Sequence, residues 1–242
     1  MTTGATTVVH ESQDELAART AARLAAALAE AQAARGTASV VLTGGRTGGA
    51  VLAALRDAAT MSKLDWSTID IYWGDERFLP RGDPERNETL ARRELLDHVP
   101  VSPHRVHPMA PSDGEFGDDP DAAAEAYAVL LRDVPSFDVC LLGVGEEGHT
   151  ASIFPHSPAV AETARAVVAV RDCPKPPPTR VSLTLPTIRN AERVWLMTAG
   201  AGKAEAVAAA LAGAEEADLP AAGARGRQET LWLIDKAAAG EY

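Results

Sequence analysis

Residues 143–155 read GVGEEGHTASIFP and carry one imidazole, His149, in a loop built on Gly143, Gly145 and Gly148. Closely spaced glycines let backbone amides approach a small polar molecule, and an imidazole titrates near neutrality. The segment therefore suits general-base chemistry on a compact substrate. Thr150 and Ser152 follow, with hydroxyls that can serve as ligand donors. The remaining histidines, His10, His98, His104, His107 and His156, read as solvated or terminal.

Three other positions set a cation in a loop ahead of a helical segment: Arg46 after Gly44-Gly45 and beside Thr47, Arg77 after Asp75-Glu76, and Lys203 after Gly200-Ala201-Gly202. A cation at a helix amino terminus opposes the helix dipole, at a cost of a few tenths to about 1 kcal/mol. An anion shared by the helix amides and the side chain removes that cost, so the recurrence points to a phosphate pocket. Asp75 and Glu76 add carboxylates suited to acting as a base, orienting a histidine or binding sugar hydroxyls. Residues 175–180, KPPPTR, place Arg180 behind a proline run, which reads either as a rigid support for a pocket cation or as a linker.

Delivering such loops to one place is the business of the elements between them. Helical and strand-like runs alternate: a helix over 14–34 ending near Gly36, a strand over 38–42, a helix over 48–58, a strand over 69–73, and helices over 87–96 and 121–132. A strand over 137–142 precedes the histidine loop; a β-rich stretch at 180–185, a strand over 193–198, a helix to 211 and a strand over 230–234 complete the series. This alternation predicts a doubly wound α/β fold, a mostly parallel sheet with helices on both faces, in a single domain over residues 1–242. Ligands of such sheets bind beyond the carboxyl ends of the strands. Residues 111–120 read as an exposed loop, and 174–178 as a stiff polyproline-like connector.

Composition narrows the chemistry further. A net charge of -11 and a pI near 5.0 oppose nucleic-acid binding, which needs a basic face. Two cysteines, Cys140 and Cys173, make neither a disulfide scaffold nor a metal site. Histidines and carboxylates lack zinc-like spacing and Gly-x-Ser-x-Gly is absent, so neither a metallohydrolase nor a serine esterase is favoured. Residues 1–11 lack the apolar stretch of a signal peptide, and no run approaches the ~20 apolar residues that span a bilayer. A cytoplasmic protein with no nucleic-acid or membrane partner is expected.

In order along the chain, TGGRTGG, WGDERFLP with the later Asn87, LLGVGEEGHTASIFP, KPPPTRVSLTLP and the Gly202-Lys203 turn resemble the 6-phosphogluconolactonase family, over nearly the whole length. That family sits within a broader group of sugar-phosphate isomerases and deaminases sharing a doubly wound α/β fold. The resemblance implies hydrolysis of 6-phospho-D-glucono-1,5-lactone in the oxidative pentose phosphate pathway, with no metal or cofactor, by a monomer or weak homo-oligomer. It implies His149 as general base and Asp75 as the group orienting the imidazole or the sugar. Gly44, Gly45, Arg46, Thr47, Arg77, Asn87, Gly145, Arg180 and Lys203 are the substrate-binding set. Two residues depart from the usual pattern: Gly48 replaces a proline, which is expected to loosen the phosphate loop, and Glu147 replaces an aspartate, lengthening a carboxylate by one methylene. The alternatives are a glucosamine-6-phosphate deaminase or isomerase, and a non-catalytic sugar-phosphate sensor. The first would carry an acidic residue for aldose ring opening where Thr150-Ala151-Ser152 follow His149; the second would need a DNA-binding module.

Overall fold

A computed structural model describes residues 4–59 and 64–240. The reading of residues 1–11 thus falls partly, over residues 1–3, outside the described residues.

β1 (Thr6–His10) leads into α1 (Gln13–Arg35), whose start is fixed by Ser12: its hydroxyl accepts the Glu15 amide at 3.2 Å. The alanine-rich run stops at Gly36, which takes up a left-handed φ of 79° and donates its N–H to the Gln32 carbonyl at 2.7 Å. β2 (Ala38–Leu42), α2 (Gly45–Ala59), β3 (Ile69–Trp73), β4 (Asp75–Arg77) and α3 (Asn87–Glu94) follow. Then come α4 (Pro120–Leu131), β5 (Val139–Gly143), β6 (Val167–Val170), β7 (Arg180–Leu183) and α5 (Leu185–Ile188). β8 (Arg193–Thr198), α6 (Ala204–Leu211), α7 (Pro220–Gly223) and β9 (Glu229–Asp235) close the chain.

The main sheet runs β1-β9-β8-β5-β2-β3 with every neighbour parallel. Its strands alternate between two cores. Val139 and Leu141 pack with Leu16, Leu24 and Leu52 on the face covered by α1, α2 and α3, while Cys140 and Leu142 pack with Tyr127 and Leu131 of α4 on the other. Burial on both faces explains why these strands are unbroken apolar runs. From β2 the chain steps outward to β3 and returns on the far side to β5, so the strand order reverses between β2 and β5. A crevice at the carboxyl ends of those two strands is where such a sheet accepts ligands. The architecture is the doubly wound, mostly parallel α/β fold that the alternation implied.

A second, antiparallel sheet, β4-β7-β6, was not legible in the same way. Asp75-Glu76-Arg77 read as a loop, yet they form β4, with Asp75 opposite Ser182 and Arg77 opposite Arg180. A three-residue strand made only of charged side chains has no apolar alternation to reveal it. β1 and β6 are likewise additions to the sequence reading. The proline segment at 174–178 bends over residues 174–177 and so is not a straight polyproline helix; its Pro176–Pro177 peptide is cis.

Candidate active site

β2 ends at Leu42, and α2 begins at Gly45, three residues before the start expected from the sequence. Gly45, Arg46 and Thr47 therefore occupy the first helical turn, where backbone N–H groups lack intrahelical acceptors. Gly48 is buried, and a Cβ built there would lie 2.7 Å from the Thr43 carbonyl. Glycine thus lets the helix seat closely on Thr43. The Arg46 side chain is exposed and makes no hydrogen bond or ion pair among the described residues.

β4 presents its charges to both sides. Glu76 points inward and is 1% exposed, accepting the amides of Arg77 at 2.8 Å, Asn87 at 2.7 Å and Glu88 at 2.8 Å. Arg86, at the N-cap of α3, supplies no capping side chain, so the Glu76 carboxylate caps that helix from a neighbouring strand. The Arg86 guanidinium, fully buried, lies 3.6 Å from Glu76 and 3.2 Å from Glu88. Glu76, one of the carboxylates considered for catalysis, is therefore a structural group beneath the site. Glu76→Ala leaves three amides without their acceptor and takes from the buried Arg86 one of its two neighbouring carboxylates, and is expected to cost ~3–5 kcal/mol. Thermal unfolding followed by circular dichroism should show a fall in Tm of at least roughly 6 °C.

Anchored this way, Asn87 reaches the site: its amide donates to the Asp75 carbonyl at 2.8 Å and its oxygen accepts from Arg77 at 2.8 Å. Asp75 is buried, accepting the Ser152 hydroxyl at 2.6 Å and the Asn87 amide at 3.2 Å. Ser152 and Thr150 are fully buried, and Thr150 donates to the Gly143 carbonyl at 2.9 Å. Both hydroxyls, read as ligand donors, are thus engaged within the protein.

The loop after β5 folds on itself. The Gly145 amide donates to the His149 carbonyl at 2.8 Å, and a Cβ at residue 145 would fall 1.9 Å from the His149 ring. Only glycine fits, and its N–H is spent inside the loop, so Gly145 serves the site by close approach rather than as a donor. The His149 ring stacks on Phe154 with centroids 4.4 Å apart, and its side chain keeps 18% exposure. Nδ1 lies 3.0 Å from a Glu147 carboxylate oxygen, but out of line for a hydrogen bond. The carboxylate beside the imidazole is therefore Glu147, not Asp75. Burial lowers the His149 pKa below its ordinary 6.5, Glu147 and Asp75 pull it up, and Lys175 pushes it down.

Arg180 is buried, and most of its donors are taken. Nε and Nη2 bind the carbonyls of Pro177 at 3.0 Å, Lys175 at 3.2 Å and Pro176 at 3.2 Å, folding the proline loop, while Nη1 stays 3.9 Å from Asp75. Lys203 follows β8; desolvation lowers its pKa while Glu146 raises it.

These loops enclose a cavity of about 210 Å³, lined by His149, Asp75 and the whole substrate-binding set expected from the resemblance, Arg46, Arg77, Arg180 and Lys203 among them, but not by Glu76, Thr150 or Ser152. Lys175 also lines it and was not among the expected residues; KPPPTR was the available signal, read for its arginine alone. Elsewhere the histidine reading needs correction. His10 is buried, and His107 stacks on Tyr72 at 4.6 Å with Nε2 3.0 Å from Asp70. The geometry offers one partly buried base and several cations lining the same hollow.

Comparison with known proteins follows the same line. A family model described as glucosamine-6-phosphate isomerases/6-phosphogluconolactonase matches residues 11–232. A protein of Streptomyces coelicolor named 6-phosphogluconolactonase is 57% identical, over 97% of this chain and 93% of its own. One of the same name from Mycobacterium tuberculosis is 52% identical, over 86% of this chain and 87% of its own. The solved structure of 6-phosphogluconolactonase from Trypanosoma brucei superposes with a TM-score of 0.86 at 29% identity, covering 98% of both chains.

Proposed function

This chain belongs to the family of glucosamine-6-phosphate isomerases and 6-phosphogluconolactonases, and from that membership we infer that it is a lactone hydrolase, converting 6-phospho-D-glucono-1,5-lactone to 6-phospho-D-gluconate in the oxidative pentose phosphate pathway. The observation carrying this reading is that one cavity holds the His149 ring together with Arg46, Arg77 and Lys203. A base and several cations in one cavity match a substrate that carries both an electrophilic carbonyl, at C1, and a phosphate, at C6.

The chemistry then runs as follows. With Nδ1 turned to Glu147, Nε2 of His149 is the nitrogen left to accept a proton from water as its oxygen attacks C1. Charge gathers on the carbonyl oxygen, and Arg180 Nη1, the guanidinium nitrogen free of loop carbonyls, is its donor. Collapse breaks the bond from C1 to the ring oxygen, which takes the proton back from the imidazolium. Asp75, held by Ser152 and Asn87, orients sugar hydroxyls. Arg46, Arg77, Lys203 and the first-turn amides of α2 hold the phosphate. No residue need be acylated, because a lactone is already an activated ester.

Because burial holds the His149 pKa below 6.5, kcat/KM should stay level from neutrality downward and fall only as pH drops through that lowered value. An acid limb centred above 6.5 in a pH-rate profile would contradict a ring whose protonation is opposed by burial. The deciding assay generates phosphogluconolactone in situ and follows acid release over the spontaneous background; ammonia release from glucosamine 6-phosphate is the matching control. We expect the first and not the second, with no loss of rate on adding a chelator.

No helix of the described residues is long and apolar enough to cross a membrane. Sugar phosphates are retained within cells by their charge, which supports action in the cytoplasm. Among the described residues the exposed large apolar side chains, Val9, Val129, Leu130 and Leu211, are few, which supports a monomer or weak homo-oligomer.

A further inference from the structure

We propose that Lys175 is a positioning residue for His149: it holds one oxygen of the Glu147 carboxylate while the other faces the ring, so that the carboxylate orients the imidazole without capturing it as an ion pair. The inference rests on His149 being the base of the reaction above. Lys175 Nζ lies 2.8 Å from Glu147 Oε2, and Glu147 Oε1 lies 3.0 Å from His149 Nδ1. One carboxylate therefore sits between two nitrogens, and the bond to the lysine is aligned where the contact to the imidazole is not.

The placement of Lys175 is built into the fold rather than left to a free side chain. Arg180, buried in β7, ties down the carbonyls of Lys175, Pro176 and Pro177, so the loop carrying the ammonium is fixed by hydrogen bonds that reach back to the sheet. Glutamate at 147 has the length to face both partners.

A lone carboxylate beside a mostly buried imidazole favours the protonated ring, which cannot act as a base. A second cation on the same carboxylate divides its charge and withdraws that preference. Other charged groups lining the cavity are Asp75, which raises the His149 pKa as Glu147 does, and the cations Arg46, Arg77, Arg180 and Lys203; Glu146 acts on Lys203. The effect on the ring follows in sign: Lys175 lowers the His149 pKa, and Glu147 raises it.

The test is an NMR titration of the His149 ring in the substrate-free protein, for wild type, Lys175→Met, Lys175→Arg and Glu147→Gln. The midpoint should move up in Lys175→Met, return toward wild type in Lys175→Arg, and move down in Glu147→Gln. In kinetics, Lys175→Met should lower kcat/KM by about three- to tenfold on the acid limb, as a raised midpoint requires. An unmoved or lowered midpoint in Lys175→Met would overturn the proposal. So would an unmoved midpoint accompanied by a KM increase confined to the phosphorylated lactone, which would make Lys175 a substrate ligand instead. The titration needs no turnover, so a wild type lacking lactonase activity would count against the reaction and leave the Lys175 result readable.

Discussion

His149→Ala is expected to lower kcat by about 10² to 10⁴ while KM for the phosphorylated lactone changes little. The imidazole meets water and the carbonyl only as charge develops, so its loss removes stabilisation of the transition state and leaves ground-state binding to the cations. The side chain is stacked on Phe154 and lines the cavity, with none of its nitrogens holding a neighbouring element, so the fold should tolerate the change. His149→Asn is a useful companion, since it keeps a polar group in the same loop without a base. Steady-state kinetics of both variants, corrected for spontaneous hydrolysis, give the answer. A near-normal kcat in either would remove His149 from the chemistry.

Lys203→Ala should show the converse pattern. The ammonium follows β8 and lines the cavity, and the described residues provide its side chain no hydrogen bond or ion pair. Removing one charge-assisted contact to phosphate is worth about 1.5–3 kcal/mol, so KM for the phosphorylated lactone should rise roughly tenfold or more. Turnover of unphosphorylated gluconolactone should barely change, because that substrate has nothing for the ammonium to bind. Equal losses on both substrates would show that Lys203 holds the fold or the sugar and not the phosphate.

The sheet was readable because strands covered on both faces leave unbroken apolar runs, as in Val139–Gly143 and Arg193–Thr198, and because Ser12 and Gly36 mark the ends of the long first helix. What escaped was written in pairing rather than in composition. Asp75–Arg77 becomes a strand only because Arg180–Leu183 lies against it, and those partners are a hundred residues apart in sequence. The site shows the same division. Strand-end cations and the glycine loop pointed to one hollow, and the structure brings them together there, since topology sends those loops to one end of the sheet. Which carboxylate faces the imidazole was not decidable from spacing, because Asp75, Glu76 and Glu147 all follow strands. Their fates differ: Asp75 accepts Ser152, Glu76 caps α3 from below, and Glu147 stands beside the ring. Arg180 was read as a ligand for substrate, and most of its guanidinium instead folds the loop that brings Lys175 into place.

The most direct measurement is a crystal structure of the enzyme with its product, 6-phosphogluconate, bound. The proposed chemistry predicts the phosphate among Arg46, Arg77 and Lys203 at the start of α2, and the C1 carboxylate beside Nε2 of His149, at about 3 Å directly or through one water. A product bound in the reverse sense, with its phosphate against His149 and its carboxylate among those cations, would contradict it.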